Sequence, residues 1–107
     1  MIHLTANSQI MIATAPADFR AGIDGFAARC QQVLQQNPRS GVLFAFINRA
    51  RTMIRILVYE QNGYWLMTKR LSTGRYQGWP KGEQPICSVQ AQQLRQLLLN
   101  MVDSNNE

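Results

Sequence analysis

The sequence has few of the residues that build metal centres, disulfide frameworks or membrane spans. Cys30 and Cys87 are its two cysteines and lie far apart, and His3 is its one histidine. This is too little for a disulfide framework or a zinc site. The longest apolar run, Val42 to Ile47, is far shorter than the roughly 20 residues of a membrane span. We therefore expect a soluble, intracellular protein with reduced cysteines, no metal or other cofactor and no membrane partner.

Acidic residues are also scarce. Eleven Lys and Arg against six Asp and Glu give a net charge of +5 in 107 residues, of which 46% are apolar. This composition is typical of one folded domain, not of a disordered basic tail, and it leaves no room for a second catalytic domain. We expect residues 1–102 to form the domain and residues 103–107 to form a frayed polar tail.

The N-terminal part of the chain predicts a strand followed by a helix. Residues 9–14 contain a short apolar run that favours a strand. Asp18 stands where an N-cap carboxylate would accept hydrogen bonds from the first N–H groups of a helix. Apolar residues at helical spacing then predict a helix over 19–36. Gly22 and Gly25 weaken this helix by about 1 kcal/mol each, so we expect irregular first turns or a close neighbour there.

The middle of the chain predicts an antiparallel meander. Residues 42–48, 52–59 and 64–71 are rich in β-branched and aromatic residues, and the Asn62-Gly63 dipeptide indicates a hairpin between the last two. Residues 76–82 then predict an irregular loop.

The C-terminal part predicts a second helix that starts at a Ser88 cap. Its apolar face contains Ala91, Leu94, Leu97, Leu98 and Met101. The predicted fold class is therefore α+β, an antiparallel meander of three to five strands packed with a helix from the N-terminal half and a C-terminal helix. Whether the sheet stays open or curls into a barrel is left open.

The positive charge is concentrated in the meander. Residues 39–81 hold eight Lys and Arg against Glu60 alone, which gives +7, while the remainder has three basic and five acidic residues, which gives −2. In an up-down-up meander, the first turn and the end of the third strand lie at the same end of the sheet. Five cations should therefore converge there: Arg49, Arg51, Lys69, Arg70 and Arg75.

A concentrated basic edge favours DNA as a partner. Binding to phosphates releases counterions, and the planar arginine side chain donates two parallel hydrogen bonds. We predict DNA contacts from these five cations, with Arg55 and Trp79 behind them. Tyr76 and Trp79 either stack on bases or anchor their loop. The alternative is a solvated rim on which arginine stems cover apolar surface.

Short blocks spread along the chain resemble a known family. They are Pro16-x-Asp18-Phe19-Arg20, Asp24-Gly25, Ser40-Gly41-x-Leu43-Phe44-x-Phe46-x-Asn48-Arg49, Arg55-Ile56-Leu57, Lys69-Arg70-Leu71-x-x-Gly74-Arg75-Tyr76 and Trp79-Pro80. In order and approximate spacing they resemble the TnpB accessory proteins of the insertion-sequence sixty-six family of bacterial transposable elements. The resemblance implies a cytoplasmic bacterial protein, encoded beside a transposase and needed for efficient transposition. It also implies DNA and the transposase as partners.

This chain is less basic than the family pattern in the first turn of the meander. Ile47, Ala50 and Met53 stand where arginine is typical of the family, and Thr52 stands where an acid is typical. The resemblance therefore carries only Arg49 and Arg51 of this turn over as phosphate contacts. It implies weaker DNA binding than the family pattern suggests.

Asp18, Asp24 and Glu60 are the candidates for a metal-dependent nuclease site, which needs two or three carboxylates converging on Mg²⁺. Each also has a structural explanation. Asp18 suits a helix cap, Asp24 suits a partner for Arg20, and Glu60 suits a hairpin turn. We expect no enzymatic activity, and the catalytic carboxylates of transposition are expected in the separate transposase.

The second functional hypothesis is a protein interaction module. Leu99 lies outside the apolar face of the final helix. It would dock the transposase or form a dimer without direct DNA contact, although a single outward leucine is also normal on a monomer. The oligomeric state and any sequence specificity toward DNA stay open.

Overall fold

Residues 4–103 are described in the computed structural model. His3 and the tail residues 104–107 lie outside the described residues. The helices are α1 (Ile23–Gln32) and α2 (Ala91–Leu99). The strands are β1 (Ile10–Ala13), β2 (Leu43–Ile47), β3 (Met53–Glu60), β4 (Gly63–Arg70), β5 (Arg75–Tyr76), β6 (Ile86–Val89) and β7 (Met101–Val102).

Five of the strands form an open mixed sheet in the order β4-β3-β2-β1-β6, and β5 pairs with β7 in a separate small sheet. All five residues of β2 are buried because a helix covers each face of the sheet. Phe44 and Phe46 pack in the same core as α1, whereas Leu43, Ala45 and Ile47 pack in the same core as α2. The predicted α+β class with two packing helices is confirmed.

The predicted meander is confirmed as β2, β3 and β4. β3 and β4 pair antiparallel over their whole length, from Met53 opposite Arg70 to Glu60 opposite Gly63. Gln61 and Asn62 occupy the turn, so the hairpin forms one residue earlier than the Asn62-Gly63 dipeptide indicated. This hairpin supplies the long outer strand of the sheet.

The sheet is not purely antiparallel, because β1 runs parallel to β2. On its other side β1 pairs antiparallel with β6, a strand that was not predicted. The predicted cap Ser88 lies inside β6, opposite Met11, so the cap prediction is wrong. The backbone groups on that side of β1 need hydrogen-bond partners, and β6 provides them. Helix α2 starts later, with Gln90 at its N-cap and Gln93 accepting the Gln90 N–H at 2.7 Å.

Helix α1 is shorter than the predicted 19–36. It starts at Ile23 with Gly22 at the N-cap position and no side-chain cap, so Asp18 is not its N-cap. A Cβ on Gly25 would lie 2.7 Å from the Ala21 Cβ, which is the close neighbour expected there. The predicted helix over Ser88 to Met101 also ends early, because Met101 pairs with Tyr76 in the small sheet.

Gly74 lets the chain turn into that small sheet. Its φ is +78°, and a Cβ there would overlap the backbone of Val102. Only glycine accommodates both the left-handed backbone and the close approach of β7. The small sheet thereby joins the end of α2 to the loop that follows β4.

Candidate nucleic-acid interface

The basic turn between β2 and β3 is organised by a buried asparagine. The Asn48 side-chain oxygen accepts the backbone N–H of Thr52 at 2.9 Å and of Met53 at 3.0 Å. Its amide donates to the Thr52 hydroxyl at 3.0 Å. Asparagine commonly closes turns in this way, because its side chain satisfies backbone groups a few residues further on. Asn48 was not predicted as a residue of this site, although an asparagine at the end of a strand is a signal for such a turn.

Arg51, in the same turn, has a left-handed backbone with φ +61°. This conformation costs a residue other than glycine about 1–2 kcal/mol. The Arg51 carbonyl accepts the Tyr76 N–H at 2.7 Å, which ties the turn to β5. The turn and β5 therefore hold Arg51 and Arg75 at the same end of the sheet.

An open cleft of about 510 Å³ lies beside this contact. Arg51, Arg75 and Lys81 line it, together with the polar side chains of Gln77 and Asn100. The Gln77 N–H donates to the Asn100 carbonyl at 2.9 Å, and the Asn100 amide donates to the Gln77 carbonyl at 3.1 Å. Lys81 was counted in the basic segment but was not predicted as a site residue. Its place in the cleft depends on the path of the loop, which sequence spacing does not give.

Lys69 and Arg70 are consecutive in β4 and so lie on opposite faces of the sheet. The Lys69 ammonium donates to the Leu98 carbonyl at 2.9 Å, at the last turn of α2. Arg70 lies opposite Met53 on the other face and is exposed. The predicted cations therefore lie at one end of the sheet, but they are divided between its two faces.

Arg49 is exposed and lines a second open depression, about 600 Å³ in volume, together with Asp18 and Arg20. The Arg20 guanidinium donates to the Asp18 carboxylate at 2.6 Å, and the Arg20 backbone N–H donates to the same carboxylate at 2.9 Å. These hydrogen bonds hold the pKa of Asp18 at about 2, and the charge of Arg49 adds to the effect. The predicted pair of Asp24 with Arg20 is wrong, because Arg20 pairs with Asp18.

Carboxylates are also found at this end of the sheet. Asp18 lies there, Glu83 belongs to the loop before β6, and Asp103 follows β7 beside Arg75. The cations outnumber them: Arg20, Arg49, Arg51, Lys69, Arg70, Arg75 and Lys81. The end keeps a net positive charge.

Arg55 and Trp79 are held by contacts within the protein. One terminal nitrogen of Arg55 donates to the Phe19 carbonyl at 2.9 Å and the Ala21 carbonyl at 3.2 Å. The guanidinium carbon lies 4.7 Å from the centre of the Phe19 ring.

The indole N–H of Trp79 donates to the Ala13 carbonyl at 2.9 Å, and the residue is only 3% exposed. Tyr76 is 2% exposed. Base stacking needs an exposed ring face, so these two aromatics anchor the loop. The contacts of Arg55 and Trp79 within the protein give both residues a structural role at the basic end.

The three acids considered for a nuclease do not converge. Asp18 lies at the basic end, whereas Glu60 lies in the hairpin at the opposite end. Within residues 4–103, no three His, Cys, Asp or Glu side chains are grouped so that they could hold a metal ion. Among the same residues, no helix is long and apolar enough to cross a membrane.

The fold and this site define a small α+β domain with a basic end on a mixed sheet. The chain belongs to the family described as IS66 Orf2 like protein (TnpB), whose model matches residues 8–106. The resemblance found in the sequence is thereby confirmed, and the family connects the chain with insertion sequences and transposition.

Two relatives come from Sinorhizobium fredii (strain NBRC 101917 / NGR234). Uncharacterized protein y4hO is 37% identical over 98 residues, which are 92% of this chain and 84% of the relative. Uncharacterized protein y4jC is 33% identical over 76 residues, which are 71% of this chain and 65% of the relative. No solved structure matches the chain.

Proposed function

We propose that this protein is a nonenzymatic accessory factor of transposition that binds DNA phosphates through the basic end of its sheet. Arg51, Arg75 and Lys81 form the contact surface in the cleft, and Arg49 and Arg70 extend it on the other face. The carrying observation is the cleft, where three cations from separate segments line one open space. Such a group of cations favours a polyanion, because each phosphate contact releases condensed counterions.

The backbone of Arg51 supports this proposal. Glycine or asparagine would occupy a left-handed position at a lower cost than arginine. Strained backbone is commonly found at functional sites, where the side chain serves a purpose beyond folding. Gln35 and Gln61 also have left-handed backbones, so the position of the half-buried Arg51 side chain in the cleft, together with its φ of +61°, supports a role as a phosphate ligand.

The proposed role is to help the transposase assemble on DNA in the bacterial cytoplasm during DNA recombination. The DNA is a transposon end or the target. The cations of this surface lie in turns, loops and strand ends and not on a helix, so the proposed contacts are mainly with phosphates.

Fluorescence anisotropy with a labelled duplex tests the binding. If about five phosphates are neutralised, log K falls with log[salt] with a slope of about −4 to −5. No binding at about 50 mM salt, or a slope near zero, contradicts the proposal.

Charge reversal with a matched control tests the location. The double variant Arg49→Glu, Arg51→Glu should abolish binding. Arg39→Glu changes the charge by the same amount per residue, but Arg39 lies 5.3 Å from the ring centre of Tyr59, toward the other end of β3. We expect Arg39→Glu to retain most of the affinity. An equal loss of binding free energy per reversed charge in the two variants would show an effect of net charge alone and would contradict the assigned surface.

A second candidate function is docking of the transposase through α2. Leu99 is 75% exposed, whereas Leu97 and Leu98 are half-buried. Under this function, Leu99→Glu should remove transposase from a co-purified complex and leave DNA affinity unchanged. The Arg49→Glu, Arg51→Glu variant should do the reverse.

A further inference from the structure

Strand β4 leaves a long edge of the sheet unpaired. Its inner side pairs with β3 over all eight residues, Gly63–Arg70, without a bulge. Within residues 4–103, no hydrogen bond from another strand or loop reaches its outer backbone groups. The strand contains no proline, and its charges are confined to Lys69 and Arg70 at one end. Long edges with so little protection are templates for pairing with a further strand.

The opposite edge is less suited to pairing. Strand β6 has four residues, Ile86–Val89, and follows Pro85 directly. Short edge strands and neighbouring prolines discourage pairing between sheets. The β4 edge is therefore the better candidate for an interface.

The hydrogen-bond pattern determines which residues of β4 offer their backbone outward. The Leu71 N–H donates to the Thr52 carbonyl at 2.9 Å, so Leu71 directs its groups toward β3. Successive residues of an antiparallel strand direct their backbone groups to alternate sides. The outward groups consequently belong to Arg70, Thr68, Leu66 and Tyr64.

We propose that a second copy of this chain pairs with β4 in antiparallel orientation, across a two-fold axis at Met67. In this register Leu66 lies opposite Thr68 of the other copy, and Tyr64 lies opposite Arg70. All four outward-facing residues are then paired, and the two five-stranded sheets become one continuous sheet. A shift of two residues in either direction leaves Tyr64 or Arg70 outside the pairing.

The side chains are complementary in the same register. Trp65 is 48% exposed and lies opposite Lys69 of the other copy, on the α2 face. Because the Lys69 ammonium is held by the Leu98 carbonyl, its methylene stem is available to the indole. On the other face, Tyr64 lies opposite Arg70 of the other copy, where its ring and the face of the guanidinium form a favourable contact. The N–H groups at the edge of the same guanidinium stay open to a phosphate, so this contact is compatible with the proposed DNA surface.

Like charges stay apart in this dimer. The Lys69 residues of the two copies are four steps apart along the strands, a distance of about 14 Å. This exceeds the screening length of about 8 Å at physiological salt. In this register the end of β4 that carries Lys69 and Arg70 lies beside the end that carries Tyr64 and Trp65 in the other copy. A second copy of this chain is therefore a complementary partner for this edge.

A charge pair at Trp65 tests the register by sedimentation equilibrium of the full chain. Trp65→Lys places a lysine opposite Lys69 of the other copy, whereas Trp65→Glu places an acid there and removes the same aromatic ring. We expect a dimer for the unchanged chain and a dissociation constant about tenfold higher for Trp65→Lys than for Trp65→Glu at low salt. The difference should shrink at high salt.

Cysteine cross-linking tests the symmetry axis in a Cys87→Ser background. Opposite Met67 residues in a pair without hydrogen bonds have Cα atoms about 4.5 Å apart, within the range for a disulfide. Met67→Cys should therefore form a covalent dimer under mild oxidation. Thr68→Cys is the control, because the two Thr68 Cα atoms would be about 8 Å apart.

Several results would overturn the proposal. One is a monomer up to hundreds of micromolar without cross-linking of Met67→Cys, and another is equally fast cross-linking of Thr68→Cys. A dimer that survives Trp65→Lys but is lost in Leu99→Glu would place the interface on α2. Protection of the β4 amides that appears only with added transposase would assign the edge to a strand of that protein. None of these results depends on DNA binding.

Discussion

At the scale of single residues, arginines that are close together in the sequence have different roles, because their backbone conformations and hydrogen bonds differ. Arg49, Arg51 and Arg55 lie within seven positions of each other, and each is a cation. Arg49 is exposed, Arg51 is in a left-handed turn, and Arg55 donates to carbonyls of the segment before α1. Their substitutions should therefore have different effects on stability and on binding.

Replacing Arg51 with glycine distinguishes an effect on the stability of the fold from an effect on DNA binding. Glycine relieves the left-handed strain but adds freedom to the unfolded chain, so the free energy of unfolding should stay the same or rise by up to about 1 kcal/mol. The loss of one phosphate contact should make the salt slope of DNA binding shallower by about 0.9. Urea denaturation and anisotropy measure the two effects. A clear loss of stability with an unchanged slope would assign Arg51 a structural role only.

Asp18 gives a prediction about pH. Hydrogen bonds from Arg20 lower its pKa from 3.8 to about 2. Because the folded-state pKa lies below the unfolded value, the carboxylate stabilises the fold above about pH 4, and this contribution is lost as the pH falls to about 2. In Arg20→Gln the pKa of Asp18 should move back toward 3.8. The unfolding free energy should then vary less between pH 4 and pH 2.

An NMR titration of the Asp18 carboxyl carbon measures this pKa directly. The same titration of Asp18 in Arg39→Gln is the control, because the Arg39 guanidinium lies against the Tyr59 ring and not beside Asp18. An Asp18 titration that is unaffected by Arg20→Gln would show that the ion pair does not persist in solution.

At the scale of elements, one side chain fastens the segment before α1 to the sheet. Arg55 on β3 donates to the carbonyls of Phe19 and Ala21 and, through Nε, to the Thr68 hydroxyl at 2.6 Å. No residue of that segment caps the helix through its side chain. The position of α1 therefore depends on a strand residue that is distant in the chain.

Arg55→Met should lower the free energy of unfolding by about 2–3 kcal/mol, because it removes charge-assisted hydrogen bonds and leaves two carbonyls unpaired. Arg49→Met removes the same charge from an exposed position, so we expect a change within about 0.5 kcal/mol. Urea denaturation of the two variants provides the comparison. Equal stabilities would show that the Arg55 contacts contribute little to the fold.

At the scale of the whole molecule, the C-terminal segment completes a sheet that begins near the N-terminus. β6 pairs with β1, and α2 covers the core that contains Ile10, Ile12 and Leu43. Residues far apart in the chain therefore depend on each other for burial. The predicted domain of residues 1–102 requires both parts.

Truncation tests this dependence. A chain that ends at residue 84 lacks β6, α2 and β7, which exposes the apolar residues under α2, and we expect no cooperative thermal transition. A chain that ends at residue 103 lacks only residues 104–107 of the predicted polar tail, so its midpoint should equal that of the full chain. Cooperative unfolding of the shorter chain would show that residues 1–84 fold independently, against the predicted domain.

The sequence by itself determined the elements whose signals are local. The meander, the hairpin and both helices follow from apolar periodicity and turn residues, because these patterns reflect which faces are buried. The concentration of positive charge in residues 39–81 and the family resemblance also follow from the sequence alone.

Only the tertiary structure decided the features that depend on distant partners. β6 forms because the open side of β1 needs backbone hydrogen bonds, and a segment of four residues carries too weak a signal by itself. Packing likewise buries Trp79 and brings Lys81 to the cleft. The pleat of the strand places Lys69 and Arg70 on opposite faces of the sheet. Sequence spacing places cations along the chain, whereas the path of the loops and the faces of the sheet determine which cations share a surface.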